Sequence, residues 1–208
     1  IAETGRIDVL VNNAGYGSFG AIEDVPIDEA RRQFEVNVFG LARLTQLVLP
    51  HMRAQRSGTI INISSIGGRF TTLLGGWYHA SKHAVEALSD ALRMETAPFG
   101  IDVVVIEPGL IRTEWSGIAA KHLKETAEGS AYASQIKAVA NSMRSESTNK
   151  RQSPPSVIAD TVEKIVTARK PRTRYVVGFA AKPLVTLRRL LPDRAFDRVI
   201  SAALGVRR

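Results

Sequence analysis

The sequence predicts an α/β fold built on a parallel sheet, and two observations carry that prediction. Three apolar, β-branched runs, IDVLVNNAG (Ile7 to Gly15), GTIINISS (Gly58 to Ser65) and IDVVVIEPG (Ile101 to Gly109), have the continuous hydrophobicity of strands buried on both faces. Between them lie segments long enough for crossover helices, and alternation of strand with helix defines the class. A chain of 208 residues is large enough for one core and small for two, so a single domain over residues 1–208 is expected.

The elements follow in order. GYGSFG (Gly15 to Gly20) reads as a turn after the first strand. The first crossover, PIDEARRQFEVNVFGLARLTQLVLPHM, places Ala30, Phe34, Val38, Leu41, Leu44 and Val48 at helical spacings of three and four. A second helix begins near Trp77, carries Tyr78, Lys82, Val85, Leu88 and Leu92, and ends before Pro98 and Gly100. From Thr113 to Pro155 the pattern is irregular, with short apolar pairs among Lys, Glu, Ser and Ala. TRYVVG (Thr173 to Gly178) reads as a last strand. KPLVTLRRLLPDRAFDRVISAAL then reads as two amphipathic helices broken at Pro192, with Leu184, Leu187 and Leu191 on one stripe and Phe196, Val199, Ile200 and Ala203 on the other.

Ligands of open α/β sheets sit outside the carboxyl ends of the strands. Asn13, Ala14, Gly15, Ser65, Pro108 and Gly109 all fall at such ends. Tyr78 and Lys82, four apart on one helix, share a face. An ammonium beside a phenol favours the phenolate, so the pair suits proton transfer at a carbonyl or an alcohol. Asn37 lies inside the first helix, where a buried amide ordinarily satisfies a backbone group.

Taken in this order and spacing, NNAG (Asn12 to Gly15), NVFG with Asn37, ISS ending at Ser65, YHASK (Tyr78 to Lys82) and PGLIRT (Pro108 to Thr113) resemble the short-chain dehydrogenase/reductase family. The C-terminal stretch resembles its hydroxysteroid-dehydrogenase-like branch. The resemblance implies a Rossmann-like doubly wound parallel sheet, N-terminally truncated, with C-terminal helices. The second half of that sheet would occupy residues 1–112, a substrate lid about 113–155, the last helix and strand 156–178 and the C-terminal helices 179–208. It also implies NAD or NADP as cofactor, with Tyr78 as proton donor or acceptor and Ser65 hydrogen-bonding the substrate oxygen. Lys82 would depress the tyrosine pKa and bind the nicotinamide ribose, and Asn37 would hold a water in a proton relay. Asn13, Ala14 and Gly15 would lie along the cofactor, with Pro108, Gly109, Ile111 and Thr113 at its carboxamide. The glycine-rich turn that cradles the diphosphate in this family has no counterpart in the sequence.

The implied function is an NAD(P)-dependent oxidoreductase interconverting an alcohol and a carbonyl on a bulky apolar substrate. Two alternatives stay open: a non-catalytic interaction module, and an epimerase or dehydratase using the same tyrosine and lysine. With no cysteine, disulfides and thiol catalysis are excluded. The four histidines have no partners at ligand spacing, and no metal site is proposed. No apolar run approaches the roughly 20 residues that span a bilayer and no leader is visible, so a cytoplasmic protein is the default. The net charge of +8 is concentrated in the tail: residues 169–208 hold 11 Lys/Arg and 2 Asp/Glu. Nucleic-acid binding is not expected, for want of a recognition motif or aromatic platform. A solvated basic face in a homo-oligomer is the plainer expectation, and contact of the basic C-terminal helices with a membrane surface the sharper one.

Overall fold

The computed structural model describes residues 1, 3–125, 127–145 and 150–206. Residues 146–149 of the expected lid, with Thr126, and Arg207 and Arg208 of the basic tail lie outside that range. Four parallel strands form one sheet in sequence order: β1 (Val9–Asn12), β2 (Gly58–Ile63), β3 (Ile101–Pro108) and β4 (Arg174–Val177). This is the Rossmann-like α/β sheet read from the three apolar runs. Between β1 and β2 run α1 (Ile27–Phe34), a π-helical stretch (Glu35–Gly40) and α2 (Leu41–Gln55). The long α3 (Gly76–Thr96) joins β2 to β3. After β3 come α4 (Trp115–Glu125), α5 (Ala133–Arg144) and α6 (Ser156–Thr167), and after β4 come α7 (Ala181–Leu190) and α8 (Asp193–Ala203).

Side chains alternate across the strands, so the sheet has two faces to cover. On one face Leu10, Ile60 and Val103 meet Val48 and Met52 of α2 and Leu92 of α3. On the other, Val9, Ile61, Val104 and Ile106 meet Ile158, Val162 and Ile165 of α6. Ile60, Ile61 and Ile106 are fully buried, and truncating any of them to alanine would cost about 2–5 kcal/mol.

The first of these faces changes character toward the carboxyl ends of the strands. Asn12 and Asn62 are register partners on β1 and β2. Asn12 Nδ2 donates to Asn62 Oδ1 at 2.9 Å and to Thr45 Oγ1 of α2 at 3.3 Å, and Asn62 Nδ2 donates to Ser89 Oγ of α3 at 2.9 Å. All four side chains are buried. This ladder explains two departures from the expected helix stripes. Leu44 and Leu88, placed inward by periodicity, are 48% and 43% exposed. The neighbouring Thr45 and Ser89 point inward in their place, because the sheet offers them amides rather than an apolar surface. In the first crossover the wider π turn also adds a residue and carries the inward stripe onto Thr45, Val48 and Met52.

The 113–155 region, expected to be irregular, contains α4 and α5. They pack together through Ala119, Leu123, Ile136, Val139 and Ala140. The break at Pro192 is where the sequence places it. Leu184, Leu187, Leu191, Phe196 and Ile200 form one cluster with Ile66, Phe70 and Ala181, so the first C-terminal stripe and half of the second are covered by the chain itself. Val199 and Ala203, assigned to the second stripe, face outward instead.

Strand β1 pairs with β2 along one edge. Its Val11 is 39% exposed, an apolar side chain on a strand with free backbone groups. Such an edge recruits other strands. The 208-residue chain expressed alone is therefore expected to self-associate, with sedimentation velocity showing species that grow with concentration and recede in Val11→Lys. A monodisperse monomer at every concentration would refute this.

Candidate active site

The residues singled out in the sequence come from four places in the fold. Ser65 follows β2 and caps a short 3₁₀ turn, its Oγ accepting from Gly67 N at 2.9 Å. With that lone pair engaged, the serine hydroxyl is left to donate its own proton. Tyr78 lies in the first turns of α3, buried, with Ser65 near enough to act on its phenol. Lys82, one turn on, is 7% exposed and its Nζ donates to Ile63 O at the end of β2 at 2.9 Å. The structure thus brings Ser65, Tyr78 and Lys82 together at the carboxyl ends of the strands.

Asn37 sits in the π-helical stretch, the kind of local widening that recurs at functional sites. Its Nδ2 donates to Tyr16 O at 2.9 Å and to Ser81 Oγ at 3.0 Å, and its Oδ1 accepts from Tyr16 N at 3.0 Å. The amide therefore fixes the loop after β1 against α3. Asn13, Ala14 and Gly15 are exposed on that loop. A Cβ at Gly15 would stand 3.1 Å from Asn37 Oδ1 and 3.5 Å from Lys82 Nζ, so only a bare backbone leaves the space beside the lysine open. Pro108 ends β3, Gly109 N donates to Val177 O at 2.8 Å, and Ile111 bridges to Ser153. Thr113 Oγ1 accepts from Trp115 N at 3.3 Å at the start of α4.

Burial pushes the Tyr78 phenol above its ordinary value of 10, and Ser65 opposes that rise. The Lys82 ammonium is aimed at Ile63 O. Lys82 is itself lowered to about 8 by burial, against the charge of Glu86, which raises it. Glu107 is buried near the end of β3. It lies 3.2 Å from Arg174 Nε and 3.9 Å from Arg69 Nη1, and Arg174 also pairs with Glu86. Burial and the Glu86 charge push Glu107 up, against Arg69, Arg174 and Arg189.

Two residues over the phenol escaped the sequence reading. Phe19, inside the stretch read as a turn, has its ring centroid 5.6 Å from that of Tyr78, and the Trp115 centroid is 5.3 Å from it. Phe19 and Trp115 meet edge to face at 5.7 Å. With Leu74, Leu123 and Ile136 they make an apolar wall around the tyrosine. The one sequence signal was Gly17, where a Cβ would fall 2.4 Å from Trp115 Cζ2.

A family model, short chain dehydrogenase, matches residues 1–124. The chain belongs to that family and is by that membership an NAD(P)-dependent oxidoreductase. It is 40% identical over 200 residues to an NADPH-dependent 3-dehydrocapnine reductase of Ornithobacterium rhinotracheale, covering 93% of this chain and 69% of the relative. It is 36% identical over 213 residues to a 3-ketodihydrosphingosine reductase of Bacteroides thetaiotaomicron, covering 100% of this chain and 76% of the relative. A solved short-chain dehydrogenase from Streptomyces avermitilis superposes with a TM-score of 0.72 at 33% identity, over 98% of this chain and 70% of that one. The described residues fit the nicotinamide half of the family's cofactor in their chemistry: the buried ammonium of Lys82 lies beside Gly15, on the exposed loop after β1, which carries no side chain to cover it. No glycine-rich turn for the diphosphate half is in this sequence.

His79 is buried beside Tyr78 with Nδ1 3.0 Å from Gly67 O and Nε2 2.9 Å from Thr72 Oγ1. It ties the loop between β2 and α3 to the helix. Burial, the largest cause, lowers its pKa from 6.5 to about 4, the Gly67 carbonyl opposing and His83 adding to the fall. The folded value is depressed, so the unfolded chain takes up the proton first. Stability contributed by neutral His79 is therefore present above about pH 6.5 and lost as pH falls toward about 4, on the order of 3 kcal/mol in all. Urea unfolding across this window is expected to show a shallower loss for His79→Gln than for the native chain. Identical slopes would remove His79 as the cause.

Proposed function

We propose that the chain carries the proton-transfer half of an NAD(P)-dependent oxidoreductase that interconverts an alcohol and a carbonyl on a bulky apolar substrate. The observation that carries the reading is the buried Tyr78 phenol, beside Ser65 and beneath the wall of Phe19, Trp115, Leu74 and Leu123. A nicotinamide bound beside Lys82 supplies or accepts the hydride. The rest belongs to the chain. In reduction the substrate oxygen takes a hydrogen bond from the Ser65 hydroxyl, and the Tyr78 phenol gives its proton to that oxygen as the carbon becomes an alcohol carbon. In oxidation the phenolate takes the proton back from the alcohol. Burial keeps the phenol protonated, which stocks the donor form. The Lys82 ammonium would offset the phenolate that proton donation leaves, and Lys82 with Asn13, Ala14 and Gly15 would hold the ribose side of the cofactor.

In this reading Pro108, Gly109, Ile111 and Thr113 face the carboxamide end, Asn37 orders the relay through the Tyr16 loop, and α4 and α5 form the lid over the substrate. The substrate class draws on the apolar wall, and on two relatives named as reductases of 3-dehydrocapnine and 3-ketodihydrosphingosine. Self-association in solution belongs to the same reading, through outward leucines such as Leu44, Leu47 and Leu88. Membrane contact through the C-terminal stripes does not, because Phe196 and Ile200 are spent inside the fold.

The test is Tyr78→Phe in a form of the protein that binds cofactor. The ring and its packing stay while the transferable proton goes, so turnover is expected to fall by roughly 10²–10⁴-fold with cofactor affinity unchanged, by steady-state kinetics and calorimetry. Near-normal turnover would remove Tyr78 from the reaction.

A further inference from the structure

One residue of the loop after β1 is fastened by four hydrogen bonds. Tyr16 stands between Gly15, beside Lys82, and Gly17, beneath the indole of Trp115. Its backbone N–H donates to Asn37 Oδ1 at 3.0 Å, and its carbonyl accepts twice, from Asn37 Nδ2 at 2.9 Å and from Gln33 Nε2 at 3.3 Å. Its phenol reaches back to donate to Glu29 Oε1 at 3.1 Å. The three partners follow at intervals of four residues, Glu29 and Gln33 on α1 and Asn37 in the π-helical stretch, so they form one stripe toward the loop. Burial, the largest cause, and the Glu29 hydrogen bond push the Tyr16 phenol up to about 12, which keeps it a donor through the ordinary pH range.

Within this stripe Gln33 is the member that packing alone does not explain. Its side chain is fully buried, and its Oε1 has no hydrogen-bond partner among the described residues. A buried amide with an unmet acceptor costs stability that an apolar side chain of the same size would not. What Gln33 returns is an N–H placed on the carbonyl of Tyr16. The fastening also reaches beyond the loop. Asn37 Nδ2 donates to Ser81 Oγ, which donates to Tyr78 O at 2.7 Å, so stripe, loop and the first turns of α3 share one run of hydrogen bonds.

We propose that Gln33, with Glu29, is a positioning residue: by pinning Tyr16 it holds Gly15 against Lys82 and Gly17 beneath Trp115. The consequence for the reaction rests on the reading that puts the cofactor beside Lys82 and the substrate at Tyr78. Loops are ordinarily the mobile part of a site. Neither Gly15 nor Gly17 has a side chain to anchor itself, and Tyr16 supplies the anchor for both. One fastening then sets both sides of the site, the cofactor side through Gly15 and the substrate side through Gly17.

The first readout needs neither cofactor nor turnover. Native and Gln33→Met chains are pulsed with an N-hydroxysuccinimide acetate and the acetylation of each lysine is followed by mass spectrometry. Exposed Lys121 is the internal reference, and amide exchange at the buried Ile61 and Val104 gauges the core. Methionine keeps the bulk and removes the donor, so Lys82 is expected to label roughly three- to tenfold faster, the change in local opening that one lost hydrogen bond produces. Ile61 and Val104 are expected to exchange at the native rate. An unchanged Lys82, or core amides that speed up as much as the lysine, overturns the proposal. Should Gln33→Met fail to fold, Tyr16→Phe decides: it removes the bond to Glu29 alone and is expected to speed Lys82 labelling about two- to threefold, and no change there overturns the proposal. The second readout is kinetic, in a form of the protein that binds cofactor. There Gln33→Met is expected to raise the cofactor KM by roughly three- to tenfold, more than it lowers kcat. Faster Lys82 labelling with an unchanged cofactor KM leaves the pin standing and refutes the placement of the cofactor beside it.

Discussion

The rest of the structure hangs on a buried row of amides and hydroxyls. Asn12 and Asn62 face each other across β1 and β2, and Thr45 and Ser89 close the row from α2 and α3. A polar group buried without a partner costs more than a hydrogen bond returns, so these four side chains accept a single relative placement of two strands and two helices. A slip of β1 by one residue would send Asn12 to the opposite face. Because α3 carries Tyr78 and Lys82 and β2 leads into Ser65, the same row fixes how far the phenol stands from the serine. Apolar packing supplies the bulk of the stability here, and the ladder supplies the uniqueness.

Much of this was legible in the sequence, and the failures share a physical cause. The three long apolar runs became β1, β2 and β3, trimmed by no more than three residues at either end. That Ser65, Tyr78 and Lys82 would come together was legible because Tyr78 and Lys82 share one helix face and Ser65 ends a strand, and the sheet topology brings β2 beside α3. Periodicity misplaced Leu44 and Leu88 because it ranks leucine above threonine and serine without knowing that asparagines wait on the sheet. It missed α4 and α5 because part of their contact face is alanine, as at Ala119 and Ala140, which barely registers in a hydrophobic pattern. Phe19 and Trp115 could not be paired in advance, since nothing local links residues so distant in the chain. Glu107 made no sense alone, and makes sense only once β4 sets Arg174 beside it.

Burying Lys82 is expensive. Its folded value near 8 lies below the ordinary 10.5, so at neutral pH the unfolded chain holds the proton more readily, and the difference amounts to something on the order of 3 kcal/mol against folding. Stability from this group would appear only as pH rises toward 10.5. No structural need is served by that cost, which a methionine would avoid. Unfavourable burial of this kind concentrates where chemistry is done, and here it coincides with a carbonyl at a strand end, a glycine whose Cβ would crowd Asn37 and Lys82 and a phenol one turn away. The convergence ties sheet, helix and loop into one site.

Gly17 has a consequence for how such a chain can vary. The volume that a side chain at position 17 would fill is held by the indole of Trp115, which also leans on the Tyr78 ring. The two positions are therefore interlocked: a methyl group at 17 is tolerable only after the residue at 115 shrinks, and a smaller residue at 115 leaves a hollow that 17 can fill. Neither change is neutral alone, and the pair together would reshape the entrance above the phenol without touching a proton-transferring group. Under the function proposed above, substrate preference would drift by paired exchange between a loop and a helix while the chemistry beneath stays constant.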